Sequence, residues 1–192
     1  MTRSLSEREL NRRALICFAD EMRLGLHSQL RRRWCPKAEK LVQPQQMRFE
    51  WNWLFLAVDV LKGRLFWRWQ ERLRSDCVEA TVQAWRREEG IDALVWDNAP
   101  AHHAKVVEQV GVTLCFLPPF SPELNPAERV FEEVRRYVEG CLYDSLEHKR
   151  QAAEAFLSAL AADTARVRRL VGWGWITSSL QALPEPVPIN MV

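Results

Sequence analysis

Long apolar runs are missing from this sequence of 192 residues. The longest stretch without a charged residue, 170–184, is interrupted by Gly, Ser, Thr and Gln, so it is too short and too polar to span a bilayer. The first thirteen residues lack the apolar core of a secretory signal. These absences predict a cytoplasmic protein with no membrane contact.

Paired cysteines are missing as well. The five cysteines stand far apart, are odd in number and form no CxxC pair. This spacing argues against a structural zinc site and against a disulfide framework, so we expect reduced thiols. The composition, 47% apolar and 27% charged, is that of an ordinary globular chain. At about 150 residues per domain, the length predicts one domain, or one domain with an appendage.

Lysine is scarce, with 5 Lys against 22 Arg, and the charges are unevenly distributed. Residues 1–75 carry 16 basic and 8 acidic side chains, whereas residues 76–192 carry 11 and 17. Because arginine binds phosphate in a bidentate manner, the basic half is typical of a nucleic-acid-binding face. A solvated surface explains the same charges, and charge alone leaves both interpretations open.

The order of apolar runs predicts a mixed α/β sheet flanked by helices. Runs that predict strands are 14–19, 22–30, 51–60, 64–69, 91–96 and 112–117. We expect a tight turn at Asp20–Glu21 between the first two strands and a hairpin turn at Lys62–Gly63. Helical spacing follows between 78 and 90, over 104–110, from Asn125, after Ser145 and around 167–171. The first strands should be antiparallel and the later ones parallel.

Two aspartates come at the ends of predicted strands. Asp20 and Asp97 each follow an apolar run. If their strands are parallel neighbours, about 4.8 Å apart, the two carboxylates can share a metal ion at the carboxyl edge of the sheet. Mg²⁺ and Mn²⁺ prefer such hard oxygen ligands. Aspartate is also common in turns and helix caps, so each residue alone has an ordinary structural interpretation.

A third carboxylate, Glu128, has two competing interpretations. The segment Asn125–Pro126–Ala127–Glu128 matches the first positions of a helix, with Glu128 at the third helical position of a capping box. In the other interpretation Glu128 lies near the strand ends and binds a metal ion. A metal-bound carboxylate is a poor acceptor for a backbone N–H, so Glu128 cannot fill both roles fully at the same time.

Two segments together resemble the catalytic core of DDE transposases. The first, 95–102, reads VWDNAPAH, and the second, 116–129, reads FLPPFSPELNPAER. Shorter segments agree with the same family: FADE at 18–21, RWCPK at 33–37 and VGWGWI at 171–176. The paired motif most resembles the mariner-like bacterial branch, the insertion sequence six-thirty family, and the resemblance covers residues 14–177.

The resemblance implies an RNase H-like fold and a set of site residues. Asp20, Asp97 and Glu128 would be the catalytic, metal-binding triad, holding Mg²⁺ or Mn²⁺, two ions in all. The residues that would support this triad are Asn98, His102 and Asn125. The resemblance departs mildly at Phe120, where the family usually has Tyr.

The implied activity is DNA transposition: strand cleavage by water, then attack of the freed 3′-OH on target DNA. The partner would be double-stranded DNA, as transposon ends and target, and the chain would act as a homodimer in the bacterial cytoplasm, at the nucleoid when bound. The basic residues expected to contact DNA phosphates are Arg31, Arg32, Arg33, Lys37 and Lys40. Alternatives are a non-catalytic remnant that binds DNA or dimerises, and a host nuclease of the RNase H-like class.

The domain organisation expected from the resemblance has three parts. Residues 1–13 form a polar lead-in, residues 14–177 the catalytic domain, and residues 178–192 a C-terminal tail. Members of the family usually carry N-terminal helix-turn-helix domains, and we expect none in this chain. A separate DNA-binding chain would then supply that recognition.

Overall fold

The computed structural model describes residues 14–29, 34–40 and 42–184. Within these residues the chain forms a five-stranded sheet in the order β3-β2-β1-β4-β5. The strands are β1 (Ile16–Gly25), β2 (Trp51–Asp59), β3 (Arg64–Gln70), β4 (Ala93–Trp96) and β5 (Thr113–Phe116). The pairs β1–β2 and β2–β3 are antiparallel, and β1–β4 and β4–β5 are parallel. This confirms the predicted mixed sheet.

Helices cover both faces of the sheet. The α-helices of the described residues are α1 (Ser75–Ala84), α2 (Lys105–Glu108), α3 (Ala127–Val138), α4 (Leu146–Ala162), α5 (Thr164–Val171) and α6 (Gly174–Gln181). One core joins the sheet to α3, α4, α5 and α6, and a second core joins its other face to α1 and α2. The two layers are possible because alternate strand residues point to opposite faces.

The predicted turn at Asp20–Glu21 is wrong. Strand β1 runs without a break from Ile16 to Gly25, and Asp20 pairs with Leu56 in the middle of the antiparallel ladder. The acidic pair does not end the strand because its backbone is held by β2, while its two side chains point to opposite faces. Of the predicted second strand over 22–30, residues 22–25 thus form the second half of β1, residues 26–29 are not in a strand, and residue 30 lies outside the described residues.

The β2–β3 hairpin is confirmed, with Gly63 in the left-handed region at φ 67°. The N–H of Gly63 donates to the carbonyl of Asp59 (2.8 Å), which closes the turn. The helices predicted before Gly90, over 104–110, near Asn125 and after Ser145 are also present. Ser145 caps α4, because its hydroxyl accepts the N–H of His148 (3.2 Å).

The C-terminal part differs from the expected organisation in one respect. Helix α6 (Gly174–Gln181) was not predicted, and the domain boundary expected at residue 177 falls inside it. The predicted lead-in, 1–13, and the last residues of the tail, 185–192, lie outside the described residues. Each of the five cysteines is described and carries a free thiol. In the described part of the chain, none of the helices combines the length and the hydropathy that crossing a bilayer would need.

Candidate active site

The two aspartates occupy equivalent positions on the central parallel strands. The β1–β4 pairing ends at Phe18 and Val95, and Asp20 and Asp97 each come two residues later. Beyond that point β1 stays paired with β2, whereas β4 ends at Trp96. The two strands are therefore no longer paired at Asp20 and Asp97. We call this end of the sheet the crevice, because ligands of open α/β sheets bind outside the carboxyl ends of parallel strands.

Asn125 connects Asp20 to the beginning of α3. Its buried amide Nδ2 donates to the carbonyl of Ala19 (2.8 Å) and to Oδ2 of Asp20 (3.2 Å). Its Oδ1 accepts the N–H of Ala127 (3.1 Å), in the first turn of α3. One side chain thus fixes both the Asp20 carboxyl and the helix that carries Glu128.

The capping box predicted for Glu128 does not form. The N–H of Asn125 donates to the carbonyl of Pro122 (3.0 Å) and not to the Glu128 carboxylate. Asn125 itself serves the helix start, because its side chain accepts the Ala127 N–H. The Glu128 carboxylate is therefore available to the crevice, with Nη1 of Arg135 3.6 Å from its Oε2.

The pKa of Asp20 reports the charges that surround it in the crevice. Burial, followed by the negative charges of Glu21, Glu128 and Asp97, raises the pKa of Asp20 from 3.8 to about 8, although the N–H of Glu21 bonds to its carboxylate. Glu128 and Asp97 thus both act on Asp20 through space. Repulsion of this kind is what a bound divalent cation relieves.

His102 links Asp97 to Glu21, a residue that the sequence did not single out. Its Nδ1 lies 2.9 Å from Oδ1 of Asp97, and its Nε2 lies 3.1 Å from Oε1 of Glu21. Burial lowers the pKa of His102, but the bonds to Asp97 and Glu21 outweigh it and raise that pKa to about 10. The hydrogen bond from His102 in turn lowers the pKa of Asp97, which keeps that carboxylate ionised.

Glu21 is the functional candidate that sequence reasoning missed. Its side chain is only 5% exposed although it ends in a carboxyl group, and burial raises the pKa of that group while the hydrogen bond from His102 lowers it. The available signal was its position beside Asp20 in an apolar run, since an acidic side chain in a buried strand needs a partner. The partner, His102, stands 81 residues away in the chain, so the pairing itself could not be predicted from spacing.

The remaining predicted residues lie in different places. Asn98 is exposed, and its Oδ1 bonds to Nε2 of His103, not to the carboxylates. Lys37 and Lys40 are exposed between β1 and β2, while Arg31, Arg32 and Arg33 lie outside the described residues. The ring of Phe120 is fully exposed on a backbone with φ 57°.

Among the described residues, the crevice offers carboxylate ligands for a hard divalent cation but no preformed metal site. Within 14–29, 34–40 and 42–184, no three His, Cys, Asp or Glu side chains lie close enough together to hold a metal ion. The side chains that face the crevice nevertheless include three carboxylates, the ligand type that Mg²⁺ and Mn²⁺ prefer. Burial first, and then the negative charges of Glu21, Glu128 and Asp97, raises the pKa of Asp20, and the positive charge of a bound cation would oppose both effects.

The raised pKa of Asp20 predicts a specific pH dependence of stability. Between its ordinary value of 3.8 and its folded value of about 8, the folded state holds a proton that the unfolded chain has released. The free energy of unfolding contributed by Asp20 therefore falls as the pH rises through this window. In metal-free buffer, Asp20→Asn should flatten the fall, as measured by urea unfolding across the window. Asp144→Asn, at a carboxylate that is 98% exposed, is the control, and parallel wild-type and Asp20→Asn curves would contradict the assignment.

Comparison with solved structures identifies the fold. The Mos1 transposase paired-end complex with left transposon end is 18% identical, with a TM-score of 0.61 over 82% of this chain and 51% of that one. The Mos1 strand transfer complex is 16% identical, with a TM-score of 0.63 over 92% and 61%. The catalytic domain of Mos1 mariner transposase is 14% identical, with a TM-score of 0.53 over 93% and 85%. This chain thus spans about half the length of the first of these structures.

These likenesses confirm the RNase H-like fold, a mixed five-stranded sheet flanked by helices. Comparison with curated proteins finds no significant match. The family model described as DDE superfamily endonuclease matches residues 15–149, which is more than half of the chain and includes Asp20, Asp97 and Glu128. The chain therefore belongs to the DDE superfamily endonuclease family.

Proposed function

We propose that this chain is a transposase catalytic domain that cuts DNA and joins the freed 3′-OH to target DNA. The observation that carries the proposal is the placement of three carboxylates of a DDE family domain. Asp20 and Asp97 take equivalent positions on two parallel strands, and Asn125 attaches the helix of Glu128 to Asp20. The motifs VWDNAPAH and FLPPFSPELNPAER support the mariner-like insertion-sequence branch.

In the proposed site Asp20, Asp97 and Glu128 hold Mg²⁺ or Mn²⁺, as two ions. When bound, such ions activate the attacking oxygen and stabilise the leaving one. Mos1 mariner paired-end complexes were crystallised with Mn and with Mg, which supports divalent metal use. The chain's own residues then prepare the ligands: His102 keeps Asp97 ionised, and Asn125 holds the Asp20 carboxyl beside α3.

Two phosphoryl transfers make up the proposed reaction. Water attacks the scissile phosphodiester, the bond from phosphorus to the 3′ oxygen breaks, and a 3′-OH is released. That hydroxyl then attacks a phosphodiester of the target, so that one P–O bond forms as another breaks. Because no covalent bond to the protein forms, the residues act by positioning and by neutralising charge.

The proposed partner is double-stranded DNA, since the Mos1 structures include complexes with transposon ends. We propose that two copies of the chain pair two ends, that a separate chain contributes end recognition, and that the protein works in the bacterial cytoplasm, at the nucleoid when bound. Exposed Lys37 and Lys40, together with Arg31–Arg33, are the proposed phosphate contacts.

A joining assay tests the proposed function. A DNA end with a pre-cut 3′-OH is incubated with the full chain, plasmid target and Mn²⁺, and covalent joining is measured on a denaturing gel. Joining supports a transposase. Cleavage without joining favours the host nuclease, and binding without either reaction favours the non-catalytic remnant.

Binding to DNA should depend strongly on salt and little on sequence. Each neutralised phosphate contributes a slope of about 0.9 to the plot of log affinity against log salt concentration. Replacing Arg31, Arg32 and Arg33 together by Gln should therefore lower the slope by about 0.9 for each phosphate that the variant no longer neutralises. Fluorescence anisotropy with two unrelated duplexes measures it.

Two arginines at the end of the sheet opposite the crevice provide the control for this prediction. Arg86 is paired with Asp92 next to the start of β4, and Arg87 is paired with Glu88. Replacing both by Gln removes two positive charges far from the crevice, so the salt slope should stay as in the wild type. Equal effects of both sets of substitutions would refute the assignment of Arg31–Arg33.

A further inference from the structure

The side chain of Glu21 lies in an unusual place for a charged group. Asp20 and Glu21 are neighbours in β1, so their side chains point to opposite faces of the sheet. Asp20 meets Asn125 on the α3 side, whereas Glu21 meets His102 on the other side. With 5% of its side chain exposed, Glu21 is out of reach of DNA in solution.

His102 is held in a single orientation. Its ring is 1% exposed and stacks on Trp96, with the ring centroids 4.1 Å apart and the planes 28° from parallel. The backbone N–H of His102 donates to the carbonyl of Ala99 (3.0 Å). Nε2 faces Oε1 of Glu21 at 3.1 Å, and Nδ1 faces Asp97, 2.9 Å from its carboxylate Oδ1 and 3.2 Å from its backbone carbonyl. The imidazole therefore connects a buried carboxylate to the crevice.

Asp97 needs such a connection because it stands at the end of a strand. Strand β4 stops at Trp96, and the Asp97 carboxylate is 55% exposed. Apart from His102, the contact that holds this carboxylate is the N–H of Ala99 at 3.2 Å. Groups that hydrogen-bond to a metal ligand orient it, and their loss weakens metal binding.

We propose that Glu21 is a positioning residue that acts through His102 to orient the Asp97 carboxylate for metal binding. The inference rests on the proposed function, since it gives a role to a residue next to the proposed ligands. Glu21 itself binds neither metal nor DNA. Its carboxylate accepts the Nε2–H of His102 and so fixes the ring with Nδ1 directed at Asp97.

Three variants of the full chain test this role. Glu21→Ala removes the acceptor for Nε2 of His102, whereas Glu21→Gln keeps an oxygen that accepts the same N–H. Asp59→Asn is the matched control, because Asp59 is also a buried carboxylate bonded to a basic side chain, Arg64, at the far end of β2. Melting curves without metal show how much stability each variant has lost.

Calorimetric titration with Mn²⁺ is the main measurement. Glu21→Ala should bind Mn²⁺ about 10–100-fold more weakly than the wild type, the usual cost of losing an outer partner of a metal ligand. Glu21→Gln should recover most of that loss, and Asp59→Asn should bind like the wild type. In the cleavage assay, Glu21→Ala should lower kcat with little change in KM for DNA.

A second readout does not depend on metal. In nitrogen-15 NMR spectra of metal-free protein, the Nε2–H signal of His102 should exchange slowly with water in the wild type and in Glu21→Gln. In Glu21→Ala it should broaden or disappear. His102→Ala identifies the signal.

The outcomes separate the inference from the proposed function. If the wild type binds Mn²⁺ and Glu21→Ala binds it equally well, the positioning role is refuted while the metal site stands. If Glu21→Ala and Asp59→Asn lose Mn²⁺ affinity equally, Glu21 contributes only to stability, and the positioning role is likewise refuted. If the wild type binds no Mn²⁺ at all, the proposed function itself fails, and the inference fails with it.

Discussion

Asp97→Asn should abolish metal-dependent DNA cleavage and joining while leaving the fold intact. Asparagine keeps an oxygen that accepts the Nδ1–H of His102, so the loop after β4 retains its hydrogen bond. The negative charge is lost, and with it the metal binding that we propose for this residue. Because metal ions contribute several kcal/mol to the transition state and each 1.36 kcal/mol is tenfold in rate, the rate should fall at least about a thousandfold.

Thermal melts with and without Mn²⁺ complete this test. A ligand that binds only the folded state raises the free energy of unfolding, so Mn²⁺ should stabilise the wild type and not Asp97→Asn. Asp144→Asn, at an exposed carboxylate between α3 and α4, should behave like the wild type in both assays. Persistent cleavage by Asp97→Asn would remove Asp97 from the catalytic residues.

Gly63→Ala should be the most damaging small substitution in the β2–β3 hairpin. Gly63 has φ 67°, and an added Cβ would lie 2.2 Å from the carbonyl oxygen of Thr164 and 2.8 Å from Cγ of Arg168, both on α5. A left-handed alanine costs about 1–2 kcal/mol, and overpacking adds about 1–3 kcal/mol. The free energy of unfolding should fall by about 2–5 kcal/mol. Urea unfolding measures the loss.

Gly90→Ala separates the two contributions. Gly90, which ends the helical segment that follows α1, has φ 71°, and an added Cβ there would meet no atom within 4 Å. This variant should therefore lose only about 1–2 kcal/mol, the conformational part. If both variants lose the same free energy of unfolding, the hairpin and α5 accommodate the added methyl group without a packing penalty.

Much of the fold could be predicted from short-range patterns. The apolar runs located β2 to β5, the glycines at 63 and 90 marked a hairpin and a helix end, and Ser145 marked the start of α4. The exceptions are α6, which was not predicted, and β1, where an acidic pair indicated a turn. A local pattern cannot show that the partner strand β2 continues past Asp20 and holds the backbone extended.

The sequence names candidates for the site but does not show how they are arranged. Asp20, Asp97 and Glu128 stand out by motif, and of the two interpretations of Glu128 the capping box does not form. Asn125 instead reaches Asp20, 105 positions earlier in the chain. Glu21 was not selected as a site residue, because the sequence shows only that it follows Asp20 and not that it contacts His102.

The sequence by itself determined where most strands, turns and helices form, because those choices depend largely on residues a few positions apart. It also determined which carboxylates are present and that a DDE family pattern surrounds them. Only the tertiary structure decided which side chains meet. The sheet order β3-β2-β1-β4-β5 brings Glu21 to His102 and Asn125 to Asp20 across 81 and 105 positions. Such contacts follow from how whole elements pack, and burial then makes the few polar partners there decisive.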